Sequence, residues 1–419
     1  MNSVVSMTEL VLCLAEIADL VNPLLSDHHK RVAGIAYNLC SELGLPPSEQ
    51  ADVTFAGMLH DVGAISIDER LDALRFDFEE GYGHSEKGWA LLSTYKPFAG
   101  IASIVRFHHT PWDYGRCSGK DCGSIPLGSH ILNLADRIAV SVKPGMGILE
   151  QAAEVRRRVS GARGKTFLPE LVDVFLEISE KEYFWLDIES ASLDGILKAE
   201  PFRRGYTLGD EDLLELVKLF GRIIDFRSRF TATHSSGVAA VAEVLAKNAG
   251  FGKEECSMMG AAGYIHDLGK LAVPAEILEK PSGLTKQEYS LIKTHSYFTD
   301  RVLRGVKGFE TIREWGALHH ERLDGKGYPF HLEAEQLSTG SRIMAVADVF
   351  VALTENRPYR RGLSPERTLK VIREMVRSGA LDSEIVSMLD DLYHDINDIR
   401  VHAQYAAERE YRDFACLFG

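Results

Sequence analysis

The sequence contains one order of histidine and aspartate residues twice within its 419 residues. The second series follows the first at a separation that changes only from 206 (234 − 28) to 211 (295 − 84) and then to 212 (348 − 136). A repeat of this length indicates a duplicated domain. The pairs are His28 and His234, His60 and His266, Asp61 and Asp267, His84 and His295, His108 and His319, His109 and His320, and Asp136 and Asp348.

The residues around both series favour helices. The stretch from Met7 to Pro23 is amphipathic, and Gly209 precedes an acidic first turn of the kind that begins a helix. Runs with the alternating apolar pattern of a β-strand are scarce. We therefore predict an all-α fold of tandem helical bundles related by internal duplication, with the ligands projecting inward from several helices. The expected boundaries are 1–185 for the first domain, 186–207 for a linker and 208–419 for the second domain.

Composition excludes several classes of protein. A net charge of −14 argues against binding to DNA, RNA or an acidic membrane surface. No apolar run approaches the roughly 18 residues that a membrane span needs, and no secretory signal begins the chain, so a cytoplasmic protein is expected. The cysteines are scattered, which does not suggest a disulfide framework. Cys117 and Cys122 resemble half of a zinc site, but no second pair follows, and we interpret them as loop thiols.

The second series carries the more specific motifs. His319 and His320 open a glycine-rich segment that ends in Gly327-Tyr328-Pro329. The motif His266-Asp267-Leu268-Gly269-Lys270 lies upstream, and Ala347-Asp348-Val349-Phe350 lies downstream. With these motifs, roughly residues 208–419 resemble the HD-GYP family of metal-dependent cyclic-dinucleotide phosphodiesterases, a branch of the HD superfamily of phosphohydrolases.

The resemblance implies two divalent metal ions that hold a bridging hydroxide and clamp the phosphate. Their nitrogen and oxygen ligands suit iron or manganese, with zinc or nickel as alternatives. Asp267 would bridge the ions, and Lys270 would act with it in catalysis by stabilising charge on the phosphate. One metal would be held by His234, His266, Asp267 and Asp348, and the other by Asp267, His295, His319 and His320.

The same resemblance implies a substrate-binding set. It comprises Lys270, Gly327, Tyr328, Arg357 and Arg360, with the arginines suited to bidentate phosphate contacts. Two positions depart from the family. Phe230 stands where some members have a glutamate that binds a third metal, which favours a dinuclear site, and Val351 stands where a second acidic residue is common.

The first series keeps the metal-ligand residues and loses the rest. Ala64 takes the position of Lys270, the loop after His109 lacks Gly-Tyr-Pro, and the arginine motif is missing. The prediction is a regulatory HD domain whose site binds further metal without turning over the substrate. Its candidate ligands are His28, His60, Asp61, His84, His108, His109 and Asp136.

The expected reaction is hydrolysis of a cyclic dinucleotide to a linear dinucleotide, and then to mononucleotides. Family frequency ranks cyclic di-GMP first and 3'3'-cyclic GMP-AMP second. One alternative is a signalling adaptor that binds the dinucleotide without turnover, and another is a general HD nucleotide phosphohydrolase. A homodimer or a contact with other signalling proteins is compatible with the sequence, which identifies neither.

Overall fold

The computed structural model describes residues 5–73, 83–113, 125–143, 145–190, 196, 202, 207–227, 232–280, 282–356 and 361–418. These ranges are helical except for β1 (Val5–Ser6) and β2 (Thr207–Leu208), which form a two-stranded sheet, and for connecting turns. The predicted all-α class is confirmed. The chain divides into two compact units, Ser6–Thr207 and Leu208–Gly419, the latter together with Met1–Val5.

In the first unit, the second helix packs on the third and the seventh, and this group forms the core on which the other helices lie. The second helix begins at His28, the third ends just before His60, and the seventh contains Asp136, so three predicted ligands lie on these central helices. The helices are α1 (Met7–Asp19), α2 (His28–Glu42), α3 (Pro47–Leu59), α4 (Ile67–Ala73), α5 (Gly83–Leu92), α6 (Ala99–Arg106), α7 (Leu127–Ser141), α8 (Ile148–Gly161), α9 (Pro169–Ile178) and α10 (Glu182–Ser190).

The second unit repeats this arrangement and adds a long final helix. The helix that begins at His234 packs on the one that ends before His266, on the one that contains Asp348, and on the final helix. The helices are α11 (Asp210–Asp225), α12 (His234–Asn248), α13 (Lys253–Ile265), α14 (Ala275–Leu278), α15 (Lys286–Leu303), α16 (Glu310–Ala317), α17 (Thr339–Thr354), α18 (Pro365–Arg377), α19 (Ser383–Asp391) and α20 (Tyr393–Cys416).

An aspartate at the end of the first helix in each unit holds the start of the ligand-bearing helix. The Asp19 carboxylate accepts the backbone N–H of His29 at 3.2 Å. The Asp225 carboxylate accepts the backbone N–H of Ser235 at 3.0 Å. A carboxylate is favourable here because the first N–H groups of a helix lack partners within the helix and carry partial positive charge. The duplication therefore extends to the contacts that orient α2 and α12.

A glycine after the His-Asp pair allows a close approach between elements in both units. A Cβ atom at Gly269 would lie 1.8 Å from the carbonyl oxygen of His295, and one at Gly63 would lie 2.1 Å from that of His84. No side chain fits at such a distance. These glycines bring the His-Asp turn against the helix that supplies the next histidine.

The range predicted as a linker, 186–207, lies largely outside the described residues. Its described parts belong to the first unit. Phe202 is buried with its ring centroid 6.0 Å from those of Tyr37 and of Phe55, and its carbonyl accepts a hydrogen bond from the hydroxyl of Thr8. Among the helices of the described ranges, none combines the length and the apolar character needed to cross a membrane.

We expect Gly269→Ala to destabilise the second unit, because the new methyl group can be accommodated only by moving the backbone of α15. Overpacking of this kind typically costs about 1–3 kcal/mol of unfolding free energy, and each kcal/mol lowers Tm by about 2–4 °C in a domain of this size. Thermal denaturation of metal-free protein measures the effect. Gly283→Ala is the matched control, because a Cβ there meets nothing within 4 Å. Equal melting curves for the two variants would contradict the close approach.

Candidate metal centres

Three histidines of the second unit direct their Nε2 atoms toward a common centre. The Nδ1 atoms of His266, His295 and His319 lie 2.8, 2.6 and 2.6 Å from the carbonyl oxygens of the residues three positions earlier. A neutral ring that donates Nδ1–H has its lone pair on Nε2. The backbone therefore fixes the tautomer that a metal ion requires of each ring.

The carboxylate of Asp267 lies between two groups of these nitrogens. Its Oδ2 is 3.1 Å from Nε2 of His266 and 3.8 Å from Nε2 of His234, while its Oδ1 is 3.3 Å from Nε2 of His295 and 3.9 Å from Nε2 of His319. One carboxylate thus faces both groups, as a bridging ligand would.

Asp348 and His320 complete the two groups. Asp348 Oδ1 lies 3.2 Å from Nε2 of His234, and Oδ2 lies 3.8 Å from Nδ1 of His320. The structure therefore brings together all seven predicted ligands of the second unit. Atoms within 4.8 Å of one another, close enough to hold an ion, come from His234, His266 and Asp348, from His295, His319 and His320, and from His266, Asp267 and His319.

Burial and charge give His295, His320 and Asp267 the protonation states that a metal needs. Burial lowers the pKa of His295 to about 3 and that of His320 to about 4, so both rings are neutral at pH 7. Burial alone would raise the pKa of Asp267, but the charges of His266 and Lys270 hold it well below its usual value. Neutral imidazoles and an ionised carboxylate are the species that bind divalent ions.

Among the described residues, several buried ligand atoms form no hydrogen bond of regular geometry. His266 Nε2 is one of them in the second unit, and Asp61 Oδ1, His108 Nε2 and Asp136 Oδ1 are others in the first unit. Buried polar atoms are almost always satisfied, so a cluster of unsatisfied ligand atoms is suited to binding a cation. The donor set of imidazole nitrogens and carboxylate oxygens fits divalent transition metals. Both sites can therefore hold metal.

Lys270 and the glycine-rich loop lie at the edge of the second-unit site. The Lys270 Nζ atom is 2.5 Å from Asp267 Oδ2, and its side chain is 20% exposed. The ring of Tyr328 lies 4.7 Å from that of His320, centroid to centroid. Gly327 permits this fold of the loop, because a Cβ there would lie 2.5 Å from the backbone of Glu321. The predicted substrate-binding residues Lys270, Gly327 and Tyr328 are thus placed beside the predicted ligands.

The predicted ligands of the first unit converge in the same way as those of the second. We call each such set of seven predicted ligands a cage. His60 and His108 donate Nδ1–H to the carbonyl oxygens of Gly57 and Val105, at 2.9 and 2.6 Å, and these acceptors are the repeat equivalents of Gly263 and Gly316. The seven predicted ligands form two groups, each with its ligand atoms within 4.8 Å of one another. The groups are His28, His60 and Asp136, and Asp61, His84, His108 and His109.

One cation beside the first cage is a buried arginine that contacts a predicted ligand. Arg137 is 2% exposed, contacts the Asp136 carboxylate, and donates to the carbonyl oxygen of Ala73 at 2.7 Å. Its repeat equivalent is Val349 (137 + 212). Ala64 occupies the position of Lys270 and is fully buried. This positive charge is therefore enclosed in the core beside a predicted ligand, unlike the partly exposed Lys270.

Glu355 is a site residue that the sequence did not identify. Its Oε2 lies 3.1 Å from Nδ1 of His234, whereas Nδ1 of the three histidines described above is held by a backbone carbonyl oxygen. Gln404 on α20 donates to the same oxygen at 3.5 Å and also contacts Arg400. Burial lowers the pKa of His234, but Glu355 and Asp348 outweigh it and raise the pKa to about 10. The repeat offers no signal, because the equivalent position is Lys143 (355 − 212).

Some predicted positions cannot be placed. Arg357 and Arg360 lie outside the described residues, as do Phe230 and the pair Cys117 and Cys122. Val351 is fully buried in α17, and its carbonyl oxygen accepts the backbone N–H of Glu355. Glu355, the residue that follows the helix, therefore supplies a buried carboxylate near the site although position 351 does not.

We expect Glu355→Gln to weaken metal binding in the second unit. The carboxylate makes His234 a more basic ligand and orients its ring, and loss of such a partner commonly reduces metal affinity about 10–100-fold. Competition with a chelator, followed by metal analysis, measures the affinity directly. Glu374→Gln, a change at an exposed position of α18, is the control. Wild-type affinity in Glu355→Gln would show that the carboxylate only fills a buried polar position.

Comparisons with known proteins agree with this geometry. The HD domain family matches residues 12–147 and 218–385. A 3'3'-cGAMP-specific phosphodiesterase 1 of Vibrio cholerae is 31% identical over 405 residues, covering 92% of this chain and 91% of its own. A cyclic di-GMP phosphodiesterase of Pseudomonas aeruginosa is 36% identical over 41% of this chain and 40% of its own.

The crystal structure of a Vibrio cholerae cyclic GMP-AMP phosphodiesterase, V-cGAP3, covers 97% of this chain and 98% of its own, with a TM-score of 0.64. At 22% identity it supports the fold alone. The sequence match is broader, since the family is found twice and together the two matches cover more than half of the chain. The resemblance to HD-GYP phosphodiesterases is confirmed, and the chain belongs to the HD domain family.

Proposed function

We propose that this protein is a metal-dependent phosphodiesterase that hydrolyses a cyclic dinucleotide in its second unit. The observation that carries the proposal is a partly exposed Lys270 ammonium group beside Asp267, whose carboxylate faces two groups of metal-ligand nitrogens. The relatives named above supply the substrate class.

Bound divalent metals would supply an activated water nucleophile and neutralise the phosphate oxygens. The residues that would hold them are the seven ligands of the second unit. In the reaction, the water oxygen forms a bond to phosphorus and one ring P–O ester bond breaks, giving a linear dinucleotide. A second hydrolysis of the remaining diester would give mononucleotides.

Lys270 has a separate role in this proposal. Its flexible side chain can turn from Asp267 toward a phosphate bound at the same edge, where a fixed positive charge stabilises the charge that develops in the transition state. Tyr328 bounds the same edge through its contact with His320. Arg357 and Arg360 would add guanidinium contacts to the phosphates, as the family resemblance implies.

For the substrate, we place 3'3'-cyclic GMP-AMP first and cyclic di-GMP second, the reverse of the order that family frequency suggested. The Vibrio cholerae relative named for cyclic GMP-AMP aligns with nearly the whole chain, including both copies. The Pseudomonas aeruginosa relative named for cyclic di-GMP aligns with less than half of it. Shared architecture over the full length makes the first relative the better guide.

The first unit would bind metal without hydrolysing the dinucleotide, and would regulate the second unit. Its cage is complete, but Ala64 removes the mobile cation and Arg137 is bound to Asp136. The boundaries proposed for this arrangement stay 1–185, 186–207 and 208–419.

Lys270→Ala should keep its metal and lose about 10²–10³ in kcat, because removing one group that stabilises the transition state has an effect of this size. Metal analysis and hydrolysis of 3'3'-cyclic GMP-AMP measure the two quantities on the same sample. Lys218→Ala, on α11, serves as the control for removing one lysine charge. A Lys270→Ala variant with normal turnover would reduce this lysine to an ordinary surface charge.

Two double variants test which unit carries the chemistry. His266→Ala/Asp267→Ala should lose the metal of the second unit and the hydrolysis with it. His60→Ala/Asp61→Ala should melt at a lower temperature in the presence of metal, since a bound metal stabilises the fold that holds it, and should retain much of the hydrolysis. An inactive first-unit variant beside an active second-unit variant would place the reaction in the first unit.

A further inference from the structure

Aromatic side chains extend from the metal ligand His320 to the protein surface. Tyr289, Lys293 and Tyr297 lie one turn apart along α15, and Tyr328 and Phe330 lie on the loop after His320. We name these five residues the aromatic strip.

Contacts connect the strip to the predicted ligands. The ring centroid of Tyr328 is 4.7 Å from that of His320 and 6.5 Å from that of His295. The Lys293 Nζ atom lies 4.8 Å from the Tyr328 centroid, and the rings of Tyr297 and Phe330 are 6.4 Å apart. Tyr328 and Lys293 therefore border the site, and Tyr297 and Phe330 form a ring pair on the same helix and the same loop.

The outer rings of the strip are exposed although they are held in place. Tyr289 is 52% exposed, Tyr297 42% and Phe330 38%. The backbone N–H of Phe330 donates to the buried carboxylate of Glu321 at 2.6 Å, next in sequence to His320. Tyr297 lies two residues after His295 on one helix. Exposed aromatic rings on fixed backbone are suited to a ligand, because little conformational freedom is lost on binding.

The charge of the strip also favours an anionic aromatic ligand. Lys293 lies over the rings of Tyr328 and Tyr289, and within the described ranges it forms no ion pair with an acidic side chain. Its ammonium group can therefore contact a phosphate or a carbonyl oxygen on a base. An apolar protein segment would use the rings but not this charge.

We propose that the aromatic strip stacks a nucleobase of the cyclic dinucleotide while the phosphate of that nucleotide lies at the metal ligands. This inference rests on the proposed function and names a contact that it does not contain. The rings of Tyr297 and Phe330 supply the stacking surface, and Lys293 supplies the charge. Every base has a π face, so stacking adds affinity for cyclic dinucleotides without selecting among them.

The test is Tyr297→Ala/Phe330→Ala. Stacking of one base on an aromatic side chain is worth a factor of about ten or more in affinity, so KM should rise about tenfold for 3'3'-cyclic GMP-AMP and for cyclic di-GMP alike. A cyclic dinucleotide that carries 2-aminopurine should lose fluorescence on binding to wild type, as stacked 2-aminopurine does, and should lose much less with the variant. Metal content and Tm are measured on the same samples.

Two variants separate ring stacking from other effects of truncation. Tyr297→Phe/Phe330→Tyr keeps both rings, and should recover most of the affinity and quenching that Tyr297→Ala/Phe330→Ala loses. Tyr405→Ala removes a 58% exposed tyrosine from α20, away from any predicted ligand, and should behave as wild type.

The outcomes distinguish this inference from the proposed function. If wild type hydrolyses the dinucleotide and Tyr297→Ala/Phe330→Ala keeps both KM and quenching, base stacking on the aromatic strip is contradicted and the proposed function stands. A strip that docks another protein would give this result. If wild type hydrolyses no cyclic dinucleotide, the proposed function fails, and the quenching assay alone decides whether the aromatic strip stacks a base. Absence of both hydrolysis and quenching overturns both.

Discussion

The carboxylate of Asp267 carries a negative charge although the residue is only 2% exposed to solvent. An isolated buried charge is costly, and it persists only where positive charge and hydrogen-bond donors surround it. Here the Lys270 ammonium group supplies positive charge, and four imidazole Nε2 atoms face the carboxylate, where a bound metal ion would supply more. Helix packing in the second unit meets this requirement by directing residues from separate elements at one carboxylate.

The two units meet the same requirement differently. In the first unit the added cation is Arg137, buried and bonded to Asp136 and to a backbone carbonyl, so it is part of the folded core. In the second unit it is Lys270, one-fifth exposed and on a flexible side chain. Both cations contact a ligand carboxylate, but Arg137 is enclosed in the core, whereas Lys270 is partly open to solvent. The copies can therefore share a cage and still differ in chemistry.

The sequence predicted the features that repeat between the two units. The spacing of the paired ligands was sufficient to predict a helical duplication, and the structure brings each set of seven residues together; their roles as ligands stay predictions. Glu355 was missed because its partner His234 is 121 positions away and its repeat equivalent is Lys143. Arg137 was missed for the same reason, since Val349 stands at its equivalent. Tyr297 and Phe330 meet only through the path of the loop, which no local pattern reveals.

The hydrogen bonds from histidine Nδ1 to the backbone give some of these histidines a second role, in folding. His60 and His266 each follow the last turn of a helix and bond to a carbonyl oxygen that has no partner within that helix. Each ring thus terminates a helix as well as facing the cage. Replacing it would leave a buried acceptor unsatisfied even in a protein that had no use for metal. Folding alone therefore favours a histidine at each of these two positions, independently of any role in metal binding.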